Sequence, residues 1–166
     1  MRQWERLPSQ TVSPARPSRT ARPSLDSLLA DCDRWRLTVA LAALPRTVRG
    51  AYHHATRTIV LRAGMPEWMA VPTLMHEMEH ARRGDEGPQP RSVEARIDAV
   101  VARRLVTVED YAAAELLVGC RVGALAAELE VPTWVIEAWQ RTLRAAGPGA
   151  PGTWERVRER GWHRAR

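Results

Sequence analysis

The sequence predicts an α+β fold with a small antiparallel sheet of about three strands, and three observations predict it. Short apolar runs lie close together between residues 35 and 61, as in strands joined by tight turns. Apolar residues recur at helical spacing from residue 67 onward. Apolar residues also make up 45% of the 166 residues, which is enough for one compact domain with a small appendage.

The first predicted helix begins after Ser24, a residue type that caps helix N-termini, because four apolar residues follow it at helical spacing. Those four residues are Leu25, Leu28, Leu29 and Cys32. Three strand-like stretches come next, and Gly50 and the polar residues 53–57 supply the bends between them. The stretches are Trp35–Leu41, Arg49–His53 and Thr58–Leu61.

Helices account for the rest of the predicted fold. One helix runs from about Glu67 to Arg83 and ends at Gly84, and Pro72 inside it predicts a kink or a restart. Ser92 is predicted to cap a second helix that reaches about Leu105. Three further helices are expected from a weak capping box at Thr107 and from apolar spacing: Thr107 to near Gly119, Val122–Leu129 and Pro132–Arg144.

The basic charge lies at the two ends of the chain. The formal net charge is +6, but residues 1–24 carry +4 and residues 147–166 carry +3, which leaves −1 for residues 25–146. We therefore divide the chain into a disordered basic tail (1–24), a core (25–106), a helical part (107–146) and a flexible basic tail (147–166). Nucleic acid is expected to bind only nonspecifically, through the Arg-rich tails.

Other compositional features exclude whole classes of protein. The sequence has no apolar run of the roughly 20 residues that a membrane helix needs, and no signal peptide. Its two cysteines, Cys32 and Cys120, are far apart and fit neither a disulfide framework nor a cysteine metal motif. We therefore expect a cytoplasmic protein without a membrane partner.

His76, Glu77 and His80 form an HExxH motif on the helix predicted from Glu67. Residues four apart lie one turn apart on the same face, so both imidazoles can bind one metal ion. Glu77 lies roughly 100° around the helix, where a carboxylate can face a metal-bound water. The motif predicts a catalytic metal site, and the alternative is a solvated helix face with incidental histidines. Three neighbouring residues are assigned to the solvated face: Glu79, Arg82 and Arg83.

The next helix offers a third ligand. Glu94 and Asp98 share a face with the apolar residues Ile97, Val101 and Leu105, where a carboxylate is costly unless something pairs with it. A metal ion would pair with Glu94, and Asp98 would orient a ligand histidine. The alternatives are a glutamate favoured by the helix dipole and an aspartate with a plain surface role.

The order of these residues resembles the ImmA/IrrE family of zinc metallo-endopeptidases. The resemblance is carried by residues 73–85 (TLMHEMEHARRGD), by EARID at 94–98 and by the strand-like residues 50–61, and it covers roughly residues 25–144. It implies a mini-zincin fold in which residues 25–106 form the peptidase core. Its ligands to one Zn²⁺ per chain fall on His76, His80 and Glu94, and its general base falls on Glu77. These ligand types also allow Mn or Fe.

The resemblance also implies an activity, the hydrolysis of a peptide bond in a helix-turn-helix repressor of a phage, mobile element or stress operon. Glu77 would take a proton from the attacking water and pass it to the leaving amine. This chain departs from the family at Asp98, where Asn is frequent, and at Val106, where Met-Pro is frequent.

Two details of the mechanism remain open in the sequence. A donor to the oxyanion is expected, and the candidates are Tyr52, His53, His54 and Tyr111. His53 and His54 fall in a predicted turn, where an ordinary exposed role is the alternative. The substrate is expected to add to a sheet edge as an extra strand, with residues 58–61 as the predicted edge.

Residues 125–139 resemble a helix-turn-helix. They form either a helical subdomain that shapes the cleft, a surface that recognises a partner protein, or a DNA-binding unit. Glu130 takes the place of the usual turn glycine and Glu137 would repel phosphate, and both disfavour DNA. For the whole chain, the alternatives to a peptidase are a non-proteolytic anti-repressor on the same scaffold and a DNA-binding regulator.

Overall fold

The computed structural model describes residues 22–146, which form an α+β fold of six helices and one three-stranded sheet. In chain order the elements are α1 (Leu25–Arg34), β1 (Thr38–Ala42), β2 (Gly50–His53), β3 (Thr58–Arg62), α2 (Glu67–Arg83), α3 (Arg91–Leu105), α4 (Val108–Val118), α5 (Val122–Glu128) and α6 (Thr133–Ala145). The two predicted tails, apart from residues 22–24, lie outside the described residues. Within residues 22–146, no helix is long and apolar enough to cross a membrane.

The sheet is mixed, so the prediction of an antiparallel sheet is wrong for one of its two pairings. The strand order is β1-β3-β2, with β2 antiparallel to β3 and β1 parallel to β3. The tight turn at residues 54–57 makes β2 and β3 a hairpin, whereas residues 43–49 are long enough to cross the end of one intervening strand. The central position of β3 also overturns the predicted substrate edge at residues 58–61, because β3 is paired on both sides.

The sheet and α1 pack against α2, the central helix of the fold. Ile59 and Leu61 of β3 are 0% and 2% exposed and belong to one hydrophobic cluster with Leu74 and Met75 of α2. The predicted restart at Pro72 does not occur: α2 is one helix, with this proline buried inside it. Pro72 is the sixth residue of α2, so its missing N–H removes a single hydrogen bond near the start of the helix.

Two helix caps behave differently from one another. The Thr107 side chain accepts a hydrogen bond from the backbone N–H of Asp110, which confirms the predicted start of α4. The predicted cap at Ser92 is wrong, because α3 begins at Arg91 and Ser92 therefore lies inside the helix. The carbonyl of Pro90 already accepts hydrogen bonds from the N–H groups of Val93 and Glu94, so Pro90 is the capping residue.

The C-terminal helices α4–α6 belong to the same hydrophobic core as the elements that precede them. Val101 and Ala102 of α3 are completely buried, in the same cluster as Val135 and Ala138 of α6. This packing lays α6 along α3, the helix that carries Glu94. The N-terminal turn of α6 is thereby placed beside the candidate site.

Candidate metal centre

The structure brings His76, His80 and Glu94 together as a group that could hold a metal ion. The Nε2 atoms of the two histidines are 3.1 Å apart, and Oε2 of Glu94 lies 3.1 Å from the first and 3.6 Å from the second. Tetrahedral ligands about 2.0–2.1 Å from a zinc ion would be separated by about 3.3 Å. The three donor atoms therefore already have the spacing that such an ion requires.

The other ring nitrogens fix the tautomers of both histidines. Nδ1 of His76 lies 3.2 Å from a carboxylate oxygen of Asp98, and Nδ1 of His80 lies 3.0 Å from one of Asp85. An ionised carboxylate only accepts hydrogen bonds, so each Nδ1 donates, and the Nε2 of a neutral ring is left with a lone pair. Two lone pairs and a carboxylate oxygen then converge, an arrangement that a cation stabilises.

The end of α2 positions Asp85, a residue that the sequence analysis gave no role of its own. Gly84 adopts the left-handed conformation (φ 70°), and the backbone N–H of Asp85 bonds the carbonyl of His80. The Asp85 side chain is thereby returned to the imidazole of the same histidine. Hydrogen bonds from Arg83 and His80 hold the pKa of Asp85 below its usual range, so this carboxylate stays ionised. A carboxylate directly after a helix-ending glycine was the available signal.

The side chain of Glu77, on α2, lies against β2. This side chain is buried, and burial raises its pKa in spite of the nearby imidazoles and a hydrogen bond from the backbone N–H of Tyr52. Gly50 makes the close approach possible, since a Cβ atom there would lie 3.2 Å from Cγ of Glu77 and 2.9 Å from Cγ2 of Thr73. A carboxyl group with a raised pKa is suited to accepting and returning a proton.

A cleft of about 530 Å³ opens over this group, and we call it the metal cleft. It is lined by His76, His80, Glu94 and Glu77, by β2 and the residues before it, and by Trp134 from α6. The Trp134 ring meets the His76 ring edge to face, with the ring centroids 6.0 Å apart. Arg141, further along α6, lies 3.4 Å from the carboxylate of Asp98. α6 therefore contacts both His76 and the carboxylate of Asp98 beside it.

The four predicted oxyanion donors lie in different places. Tyr52 lines the metal cleft, and its buried hydroxyl has no hydrogen-bond partner among the described residues. His53 is exposed and bonds Thr56, and His54 faces Glu86 at 3.6 Å, so neither histidine lines the cleft. Tyr111 is also away from it, buried against α6 with its hydroxyl accepting a hydrogen bond from Gln140.

Glu79 does not lie on a solvated helix face, which corrects the assignment made from the sequence. Its residue is only 6% exposed, and Nε of Arg82 donates to its carboxylate at 2.8 Å. Nη1 of Arg104, on α3, lies 3.8 Å from the same carboxylate. Glu79 therefore links α2 to α3 behind the ligands, and helical spacing alone did not show that a second helix covers this side.

Comparison with known proteins adds no assignment, because no family model, curated protein or solved structure matches the chain.

Proposed function

We propose that the protein is a zinc-dependent endopeptidase of the mini-zincin type. The observation that carries the proposal is the convergence of two imidazole Nε2 atoms and a carboxylate oxygen, within 3.1–3.6 Å of one another, next to the buried carboxyl group of Glu77. Three protein ligands with an open fourth position are typical of catalytic zinc sites, whereas structural sites are closed by four.

The residues of the cleft divide the chemical work. The metal, when bound, supplies Lewis-acid polarisation of the scissile carbonyl and of the attacking water. Glu77 takes the proton of that water on its carboxylate and then passes it to the leaving amine. Asp98 and Asp85 hold His76 and His80 in the tautomers that keep both Nε2 atoms unprotonated. Tyr52 is the best-placed donor for the developing oxyanion, since it lines the cleft.

One of the two edge strands of the sheet lies at the metal cleft, which supports peptide binding. β2 is an edge strand, and its residues Gly50, Ala51 and Tyr52 line the metal cleft. A substrate segment can therefore add to β2 as a fourth strand and present its backbone to the site. The proposed substrate is a helix-turn-helix repressor, as the family resemblance implies.

The position of α6 favours a role in shaping the cleft over one in reading DNA. In a DNA-binding helix-turn-helix, the first residues of the second helix contact bases in the major groove. Here Trp134 in that turn packs against the ring of His76, and Val135 and Ile136 are completely buried. The first turn of α6 is thus occupied within the molecule.

Two linked measurements test the proposal. Elemental analysis of the purified protein should give about one zinc per chain, and His80→Ala should lose it, because one of the three ligands is removed. Glu77→Gln should keep the zinc and the fold but lose cleavage of a peptide or repressor substrate by at least about 100-fold. Zinc-free wild-type protein after zinc addition, or full cleavage by Glu77→Gln, contradicts the proposal. A Glu77→Gln variant that still inactivates a repressor identifies the non-proteolytic alternative.

A further inference from the structure

A second pocket lies beside the metal cleft, beyond Trp134. Its volume is about 460 Å³, and Arg49 and Trp134 line both this pocket and the metal cleft. The guanidinium of Arg49 lies 5.5 Å from the centroid of the Trp134 ring, whose edge-to-face contact with His76 was described above. A single aromatic ring therefore separates the pocket from a metal ligand.

The pocket is lined mainly by apolar groups, and small residues form one wall. Gly123 and Ala127 are four residues apart on α5 and so lie on the same face of that helix. A Cβ atom added at Gly123 would meet no heavy atom of the described residues within 4 Å, so the space above it is open. Trp68 and Met69, in the first turn of α2, line the opposite side. Concave, apolar sites of this size bind large apolar groups.

The pocket continues the path that a bound peptide would follow. Arg49 directly precedes β2, the free edge to which the substrate is proposed to add. A peptide added to that edge would lie over the residues of the metal cleft, which Arg49 and Trp134 also line. A substrate side chain adjacent to the scissile bond is therefore the group that can enter the pocket beyond Trp134.

We propose that this pocket, which we call the selectivity pocket, binds a large aliphatic or aromatic side chain adjacent to the scissile bond. This inference rests on the proposed peptidase function and adds to it the substrate class, a segment with Leu, Met or Phe beside the bond that is cut.

Binding of small hydroxamates to the zinc-loaded full chain tests the inference without requiring turnover. Two series are used, with the variable side chain on either side of the hydroxamate group, and each contains Ala, Leu, Phe and Asp members. In one series the Leu and Phe members should bind at least about tenfold more tightly than the Ala member. Ala127→Trp fills the pocket from its exposed rim and should abolish that preference while zinc remains bound.

Two further variants control this experiment. Ala145→Trp adds the same side chain at an exposed position of α6 that lines neither cavity, and the preference should persist. Gly123→Leu fills the pocket from the preceding turn of α5 and should abolish the preference as Ala127→Trp does. It keeps the test valid if Ala127→Trp folds poorly. Equal affinities across both series, no binding in either, or a preference unchanged in both filled variants overturns the inference.

Cleavage of a degenerate peptide mixture separates this inference from the proposed function. Cuts that occur next to Leu, Met or Phe in the wild type, and lose that preference in Ala127→Trp, support both. Cleavage without any preference for apolar neighbours overturns the selectivity pocket and leaves the peptidase intact. Selective hydroxamate binding with no cleavage of any peptide supports the pocket and contradicts the peptidase.

Discussion

At the scale of single residues, the candidate site includes side chains that hold the two histidines in place as well as the three residues that could bind a metal ion. The sequence analysis identified His76, Glu77, His80 and Glu94 from their spacing, and the structure brings them to one place. It gave no role to Asp85 or Trp134, because their contacts with His80 and His76 depend on a helix end and on a packed neighbour. Spacing along one helix cannot reveal either relation.

Gly50 is the residue whose size matters most to the position of Glu77. Gly50→Ala should destabilise the protein by about 1–3 kcal/mol, because the new Cβ would lie 2.9 Å from Thr73 and 3.2 Å from both Glu77 and Leu61. It should also lower cleavage by displacing Glu77. Thermal unfolding and zinc-dependent cleavage measure the two effects.

A matched control for Gly50→Ala exists on α5. Gly123→Ala adds the same methyl group in open space within a helix, so it should stabilise the protein by about 0.5–1 kcal/mol. Equal stabilities for the two variants would show that the close approach of β2 to α2 does not constrain residue 50.

His76 makes the effect of zinc on stability depend on pH. Burial lowers its pKa, but a hydrogen bond to Asp98 and the surrounding carboxylates outweigh burial and raise it. Protonated His76 therefore stabilises the metal-free protein fully below the unfolded pKa of about 6.5, and this contribution is lost as pH rises through the folded pKa. Zinc needs the neutral ring, so its stabilisation has the opposite dependence.

The measurement is the difference in melting temperature between zinc-loaded and metal-free protein at several pH values. We expect that difference to grow as pH rises through the folded pKa of His76, and to be small in His76→Gln at every pH. A difference that stays constant with pH in the wild type would contradict the assignment of His76 as a ligand.

At the scale of elements, three helices end in the same backbone motif with different residues. Arg36, Gly84 and Glu130 all have positive φ (55°, 70° and 49°), and each is followed by an N–H that bonds back five residues. Glycine is the residue that adopts this conformation at least cost. The sequence analysis therefore located the end of α2 at its glycine, whereas Arg36 and Glu130 carried no such signal.

Arg36→Gly should stabilise the protein by about 1 kcal/mol, because it relieves a left-handed conformation at an exposed residue. Gly84→Ala should cost about the same and should also weaken zinc binding, since Asp85 follows directly and orients His80. Thermal unfolding and zinc titration of both variants provide the comparison. Loss of stability in Gly84→Ala with unchanged zinc affinity would separate this helix end from the site.

The strands show why part of the fold could not be read from the sequence. Alternation of apolar residues indicates which face of a strand is buried, but it does not specify the direction of the neighbouring strand. The hairpin of β2 and β3 follows from a local turn, and it was foreseen. The parallel pairing of β1 with β3 depends on a longer connection, and only the packed sheet fixes it.

At the scale of the whole molecule, the metal cleft is built from both halves of the described chain. β2 and α2 supply one side, and α6 covers His76 and approaches Asp98 from the other. α3 packs along α6, and its large apolar residues Ile97, Val101 and Leu105 are 2%, 0% and 3% exposed. Each such side chain contributes about 1.5–3 kcal/mol, against a typical total stability of about 5–15 kcal/mol.

A chain that ends after Val106 should therefore neither unfold cooperatively nor hold zinc, although it retains His76, His80 and Glu94. A chain of residues 22–146 should do both, because it keeps α4–α6 and their packing on α3. Circular dichroism during heating and zinc titration compare the two chains with the full-length protein. Tight zinc binding by the shorter chain would mean that the helical part only adds substrate selectivity. Loss of zinc binding in the shorter chain would make α6 a structural component of the metal site.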